Sequence, residues 1–280
     1  MPLVEVSGRR YGPVAVPITG SSVSSFVAAT GDDPDRWNRH APPSYAAAAL
    51  FAVAPAFLGD PDVVPETRSL IHTEQAFSWH RAPAIGETVA VEGRVSGVRA
   101  RRSLNLVTFD LTATGEAGPW LDGTATFLMS AEAAAAAVEE QEPAHDAVAR
   151  TEPPESTPLP SPGDAIPSMA RSASRVDLVR YAGASGDWNP IHWDHDAAVA
   201  AGLPGVVVHG LLMASWLSQA AARHGAGNHP LTEMRMRFRK PLRPAAPASV
   251  TGVVSGDRCL SMALISDGVT LVTATALVTA

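Results

Sequence analysis

The chain lacks the residues that would build several common kinds of protein. It has a single cysteine, Cys259, in 280 residues. That excludes a disulfide framework and every multi-cysteine metal site. Charged residues are 18% of the chain, below the usual ~25%, so much of it must be buried. There is no basic excess: 21 Lys and Arg stand against 28 Asp and Glu, a net charge of −7. Phosphate binding needs the opposite balance, so no nucleic-acid partner is expected. A long hydrophobic run is also missing. The longest, Tyr45 to Leu58, is about 14 residues and contains Pro55, whereas a membrane span needs about 20. It predicts a buried helix and no membrane partner. The start, MPLVEVSGRR, has no apolar signal core, and the expected location is cytoplasmic. No G-x-S-x-G elbow, P-loop or dinucleotide fingerprint occurs.

What is present is an apolar fraction of 46%, that of a packed globular protein. A composition shift divides it. Residues 131–168 begin as AEAAAAAVEEQEPAHDAVAR, a short helix at most, and continue as TEPPESTPLPSPGD, too rich in proline and polar residues to pack. They read as a linker between residues 1–130 and 169–280. The two halves follow one plan. FVAATGD at 26–32 recurs as YAGASGD at 181–187, and VEG at 91–93 recurs as VTG at 250–252. Each half runs short helix, Gly-Asp turn, apolar helix, then antiparallel strands. Ser44 is placed to cap the first apolar helix, 45–58. The second, LLMASWLSQAAARHG from Leu211, is apolar on most sides and so must be wrapped by other elements. Alternation predicts strands within 86–114, 119–130, 231–241, 247–255 and 258–279. A long helix wrapped by a curved antiparallel sheet is the hotdog arrangement. The expected fold class is therefore α+β, a double hotdog with its two sheets joined as a pseudo-dimer.

The chemistry-bearing stretch is ASGDWNPIHWDHDAAVAAGLPGVVVHGLL, residues 184–212. Asp187 and His192 are five apart with Pro190 between them, so the chain must turn rather than continue a helix. A turn brings carboxylate and imidazole to face one point, where they can share a water as acid–base chemistry requires. Asn189 can fix that turn by hydrogen bonding. Gly210 opens the second apolar helix. It has no side chain to keep a ligand away, and the first turn of a helix offers free N–H groups and a positive dipole end. A developing oxyanion is stabilised there, by about 2.7–4 kcal/mol per donor in typical cases.

SGDWNPIH at 185–192, with HG 17 and 18 residues after His192, resembles the signature of the MaoC-like, (R)-specific enoyl-CoA hydratases. The whole chain resembles double-hotdog members whose N-terminal half is a degenerate dehydratase domain. The resemblance implies a reversible hydration of trans-2-enoyl thioesters to (3R)-hydroxyacyl thioesters. In it Asp187 and His192 activate the water and Gly210 N–H holds the thioester oxygen. Asn189 sets the turn, and Ser218 hydrogen-bonds the catalytic Asp. It implies no metal and no cofactor beyond the coenzyme A or acyl-carrier pantetheine of the substrate, and a homodimer. The first half departs from the signature. It keeps Asp32, but Trp37 stands five residues on, and no HG opens its helix. One active site per chain is expected, with the first half walling the acyl pocket.

Several features keep two readings. Arg237, Arg239 and Lys240 lie in EMRMRFRK, where Arg235, Arg237 and Arg239 share one strand face. They are a solvated face or a contact for substrate phosphates. His80 and Arg81 carry the same ambiguity. The run Ala46–Ala49 either lets the sheet close tightly or leaves a tunnel for an acyl chain. The cluster at His192, Asp194, His195 and Asp196 lacks the second histidine pair a metal site would need. Cys259 reads as core, and His209 as a support for the helix start. A hotdog thioesterase and a non-catalytic acyl-CoA binder remain the competing functions.

Overall fold

A computed structural model describes residues 3–132 and 157–280. Its framework is one ten-stranded sheet made of β1 (Arg10–Pro17), β2 (Ser69–Trp79), β3 (Thr88–Arg101), β4 (Leu104–Gly115), β5 (Gly118–Ser130), β6 (Met169–Arg171), β7 (Leu231–Phe238), β8 (Ala248–Gly256), β9 (Cys259–Ser266) and β10 (Val269–Val278). The spatial order is β1-β3-β4-β5-β2-β7-β10-β9-β8-β6, antiparallel throughout. The two halves meet where β2 pairs with β7, from Glu74 opposite Arg237 to Ser78 opposite Glu233. This is the double hotdog expected from the sequence.

Among the described residues there are five α-helices, α1 (Gly20–Thr30), α2 (Ala46–Leu58), α3 (Arg175–Ser185), α4 (His195–Ala200) and α5 (Gly210–Ala222); α2 and α5 lie on the sheet, and α1 and α3 pack on each other. The repeat seen in the sequence is a repeat of helix ends. Thr19 and Ser22 form a capping box before α1, and Ser174 and Asp177 form one before α3. Both helices stop at a left-handed glycine, Gly31 at φ +67° and Gly186 at φ +84°. The central helix α5 buries twelve of its thirteen residues, against β7, β8, β9 and β10. Its counterpart α2 lies on β1 and β3. Among the described residues no helix is long and apolar enough to cross a membrane.

Some local expectations change. Ser44 does not cap α2. The helix is entered through a 3₁₀ turn, Pro43–Tyr45, with proline at its start, and Ser44 Oγ is buried without a partner. Strands β1 and β2 were not legible. Gly12 and Pro13 interrupt β1, and a bulge between His72 and Glu74 breaks the alternation of β2. The proline-rich end of the linker does pack. Gly163 N–H donates to Val254 O, Ile166 N–H donates to Gly252 O, and Ile166 is buried. These residues extend the sheet edge that β6 continues. The possible helix early in the linker lies outside the described residues. Ala46, Ala47 and Ala49 are buried to within 2%, and Ala47 lines a small cavity against Trp79 and Leu211. Cys259 is half-buried at the start of β9, with its sulfur 3.4 Å from Ser255 Oγ.

Candidate active site

The site is built on the end of α3 and the start of α5. Left-handed Gly186 turns the chain out of α3 and delivers Asp187. Ser185 Oγ donates to Tyr181 O at 2.7 Å and accepts the Asp187 N–H at 3.2 Å. Asp187 Oδ1 accepts the Asn189 N–H at 3.3 Å, and Asn189 Oδ1 accepts the Ile191 N–H at 3.4 Å. The second bond caps the short turn Pro190–His192, which presents the imidazole. Asn189 thus bonds within the turn that it opens.

His192 Nδ1 lies 2.8 Å from Val207 O. A carbonyl only accepts, so Nδ1 carries the proton and Nε2 holds the lone pair. Nε2 is 3.9 Å from Asp187 Oδ2. A water about 2.8 Å from each would sit at the apex of a roughly right angle. Both residues are 7% exposed, and burial moves their acidities in opposite directions. The Asp187 carboxyl is pushed up to about 7, partly opposed by the Asn189 N–H. The His192 imidazole is pushed down to about 4. Each shift favours the uncharged form, as desolvation requires. Between about pH 4 and 7 the pair therefore holds a carboxylic acid beside a neutral base.

His209 stacks on His192 with centroids 3.8 Å apart and planes at 24°. It precedes α5 and makes no side-chain cap bond. Among the described residues the Gly210 N–H has no acceptor. A methyl added at Gly210 would meet Phe238 Cε1 at 3.4 Å, an ordinary contact. His72 packs on the same Phe238 ring from the first half, and a side chain added at Gly186 would meet Phe51 Cβ of α2 at 3.3 Å. Residues of the first half thus border the site.

Other sequence candidates do not join it. Ser218 is not a partner of Asp187. It lines a small enclosed cavity with Ser44, Trp79, Leu211 and Ser215, two turns down α5. Arg237 lies on the other side of the sheet, because alternation turns Met234 and Met236 inward and Arg235 and Arg237 out, and Arg239 and Lys240 follow the end of β7 as exposed residues. Arg237 Nε donates to Glu74 Oε1 at 2.9 Å, and Arg237 and Arg239 line an outer groove of about 850 Å³. His80 and Arg81 are engaged by Asp122 and Glu87. Asp194 caps α4 through the Ala197 N–H, and His195 lies against Gly205, so they do not converge with His192. Asp187, His192 and His209 do offer three ligand atoms within 4.8 Å. A metal binds in the plane of each imidazole, and no ion can lie in the planes of two nearly parallel rings 3.8 Å apart. In the first half Asp32 is half-buried and pushed up to about 6 by desolvation, but buried Trp37 occupies the histidine's sequence position.

Two anchors had no signal in the sequence or only a faint one. Val207 acts through its backbone carbonyl, which any residue would supply. Ser185 is the residue before Gly-Asp in the repeat, where Thr30 makes the same bond back along its helix, to Phe26 O.

Residues 147–276 match the MaoC like domain, and residues 5–119 match the FAS1-like dehydratase domain region. Each half thus resembles a dehydratase domain, the second half the MaoC like domain. It is 27% identical over 254 residues to a Mycobacterium tuberculosis protein named 3-hydroxyacyl-thioester dehydratase X, covering 90% of this chain and 82% of the relative. Among solved structures, one described as a MaoC-like dehydratase superposes with a TM-score of 0.79 at 22% identity over 98% of both chains. A conserved M. tuberculosis protein described as having a double hotdog fold superposes with a TM-score of 0.67 at 13% identity, over 97% of this chain and 96% of that one.

Proposed function

We propose that this protein interconverts trans-2-enoyl thioesters and (3R)-hydroxyacyl thioesters, with Asp187 and His192 sharing one catalytic proton. The observation that carries the reading is the 3.9 Å approach of Asp187 Oδ2 to His192 Nε2, beside a helix-opening amide with no acceptor of its own. In hydration, a water held by the pair gives a proton to His192 Nε2 as its oxygen bonds to the β-carbon. The double-bond electrons move toward the thioester, whose oxygen becomes enolate-like and accepts the Gly210 N–H. The protonated Asp187 then delivers its proton to the α-carbon. Atoms balance: OH is added at one carbon and H at the next, and the proton gained by His192 restores Asp187. Both groups approach from one side, so the addition is syn. The reverse steps dehydrate the hydroxyacyl thioester.

The site belongs to residues 169–280, one per chain, and Phe51 and His72 of the first half form part of its wall. No group beyond the substrate's own coenzyme A or pantetheine arm is needed. Incubation with crotonyl-CoA tests the reading. Loss of the enoyl absorbance without release of free thiol is the expected result, and Asp187→Asn or His192→Gln should lower kcat by about 10²–10⁴. Thiol release would mark a thioesterase instead. Tight acyl-CoA binding with no turnover on any enoyl thioester would mark a binder.

A further inference from the structure

We infer that His209 is a positioning residue of this site, holding Asp187 through its N–H and His192 through its ring face. The inference rests on the hydratase reading and assigns His209 a task beyond starting α5. A helix start ordinarily calls for Ser, Thr, Asp or Asn, and α1 and α3 use such residues. His209 stands at the start of α5, makes no cap bond and is 0% exposed. Its contacts go to the active-site turn instead. Nε2 lies 3.2 Å from the backbone oxygen of Asp187. That oxygen only accepts, so Nε2 carries the proton and Nδ1 is a lone pair, buried and without a partner. One ring face covers His192 at 3.8 Å. Tyr181 of α3 meets the ring edge-on at 4.9 Å.

Two consequences follow. The N–H pins the peptide that carries the carboxylate to the start of α5, where the Gly210 amide is. The stacked ring seals one face of His192 from water and fixes its plane, so the Nε2 lone pair stays aimed past Asp187. The groups facing His192 are Asp187 from its own turn and His209 from α5, with the Val207 carbonyl on Nδ1. Tyr181 of α3 faces His209, and His195 of α4 is turned toward Gly205. The covering ring keeps water off His192, and that burial favours its neutral, basic form. Burial and the neighbouring His192 push His209 itself down.

Phe supplies a flat ring without a donor and Gln a donor without a ring, so two variants separate the tasks. His209→Phe keeps the stack and loses the bond to Asp187 O. Its kcat on crotonyl-CoA should fall about tenfold, with KM within about twofold and the acid limb of the pH profile unmoved. His209→Gln keeps a donor and loses the ring. Its acid limb should rise from about 4 toward the ordinary histidine value near 6.5. Histidine ¹⁵N NMR of the wild-type protein reads the same arrangement without substrate, His192 being assigned from the His192→Gln spectrum. It should find His209 protonated on Nε2 and His192 on Nδ1, neither titrating near 6.5. Wild-type kcat and pH profile in both folded variants would overturn the inference, as would equal losses with no shift of the His209→Gln acid limb. So would an His209 that titrates normally, even if His209→Gln fails to fold. A wild-type enzyme without enoyl-thioester turnover would instead sink the hydratase reading, and the NMR result would still decide the arrangement.

Discussion

Asp187 and His192 are displaced in opposite directions by the same cause, and the reaction needs that. The pair carries one proton in total, as acid and neutral base before hydration or carboxylate and imidazolium before dehydration. Activity in either direction should therefore fall as pH drops through about 4, where His192 protonates, and as it rises through about 7, where Asp187 ionises. A kcat/KM profile with no basic limb near 7 would contradict this. The same displacement costs stability. An unfolded Asp ionises near 3.9, and the folded one holds its proton up to about 7. The folded state is thus progressively disfavoured as pH rises from about 4 to about 7, and the loss is complete above that. Asp187→Asn should lower kcat by about 10²–10⁴ yet stabilise the fold at pH 8, by about 1–4 kcal/mol, with the gain vanishing near pH 4. Urea unfolding at the two pH values checks it, and a variant less stable than wild type at pH 8 would refute it. At this scale the sequence was informative where chemistry and spacing coincide, as in Asp187, Asn189, His192 and Gly210. It was silent on Val207, whose contribution is main-chain. It misled at Ser218, because two helical turns carry that side chain away from the carboxylate.

Helix ends do the positioning, and they can be tested against each other across the pseudo-symmetry. Gly31 and Gly186 both end a helix in the left-handed region, where a side chain costs about 1–2 kcal/mol. A Cβ at Gly31 meets nothing within 4 Å, whereas one at Gly186 meets Phe51 Cβ at 3.3 Å. Gly31→Ala should lose about 1 kcal/mol and keep full activity. Gly186→Ala should lose more stability, and activity with it, because Asp187 follows directly. Equal activity losses in the two would argue against a single site per chain. Gly210→Ala should behave differently again. Its methyl makes an ordinary contact with Phe238 and alanine suits a helix better than glycine, so unfolding should be unaffected or slightly later. It crowds the amide offered to the thioester oxygen, and kcat/KM should fall by about 10–10². Helices were the legible elements, since their apolar runs and Gly-Asp stops are local, although the cap read at Ser44 is not used. Strands β1 and β2 were not, because a Gly-Pro interruption and a bulge spoil the period of two. The packing of residues 163–166 depends on an open edge at β8 that no local pattern announces.

For the molecule as a whole, the continuous sheet makes the two hotdogs one structure. Phe77 and Met234, which face each other across the β2–β7 junction, are almost completely buried. The Glu74–Arg237 pair above it is largely exposed, and such pairs contribute little. Helix contacts cross between halves too: Gln219 of α5 donates to Thr30 O at the end of α1, and Arg36 donates to Gly225 O and Gly227 O. His229 donates to Trp79 O. Separating the halves would bare two unpaired strand edges and the apolar side chains beneath them, so neither half is left with a closed core. Unfolding should accordingly be a single cooperative transition. The sequence supplies the probes, since Trp37, Trp79 and Trp120 report on the first half and Trp188, Trp193 and Trp216 on the second. Fluorescence of variants retaining tryptophans in only one half should give denaturant midpoints that coincide with each other and with far-ultraviolet circular dichroism. Two separated midpoints would mean that the halves are held together by the chain rather than by the sheet. Phe51 would then be able to leave the turn at Gly186 without the second half unfolding.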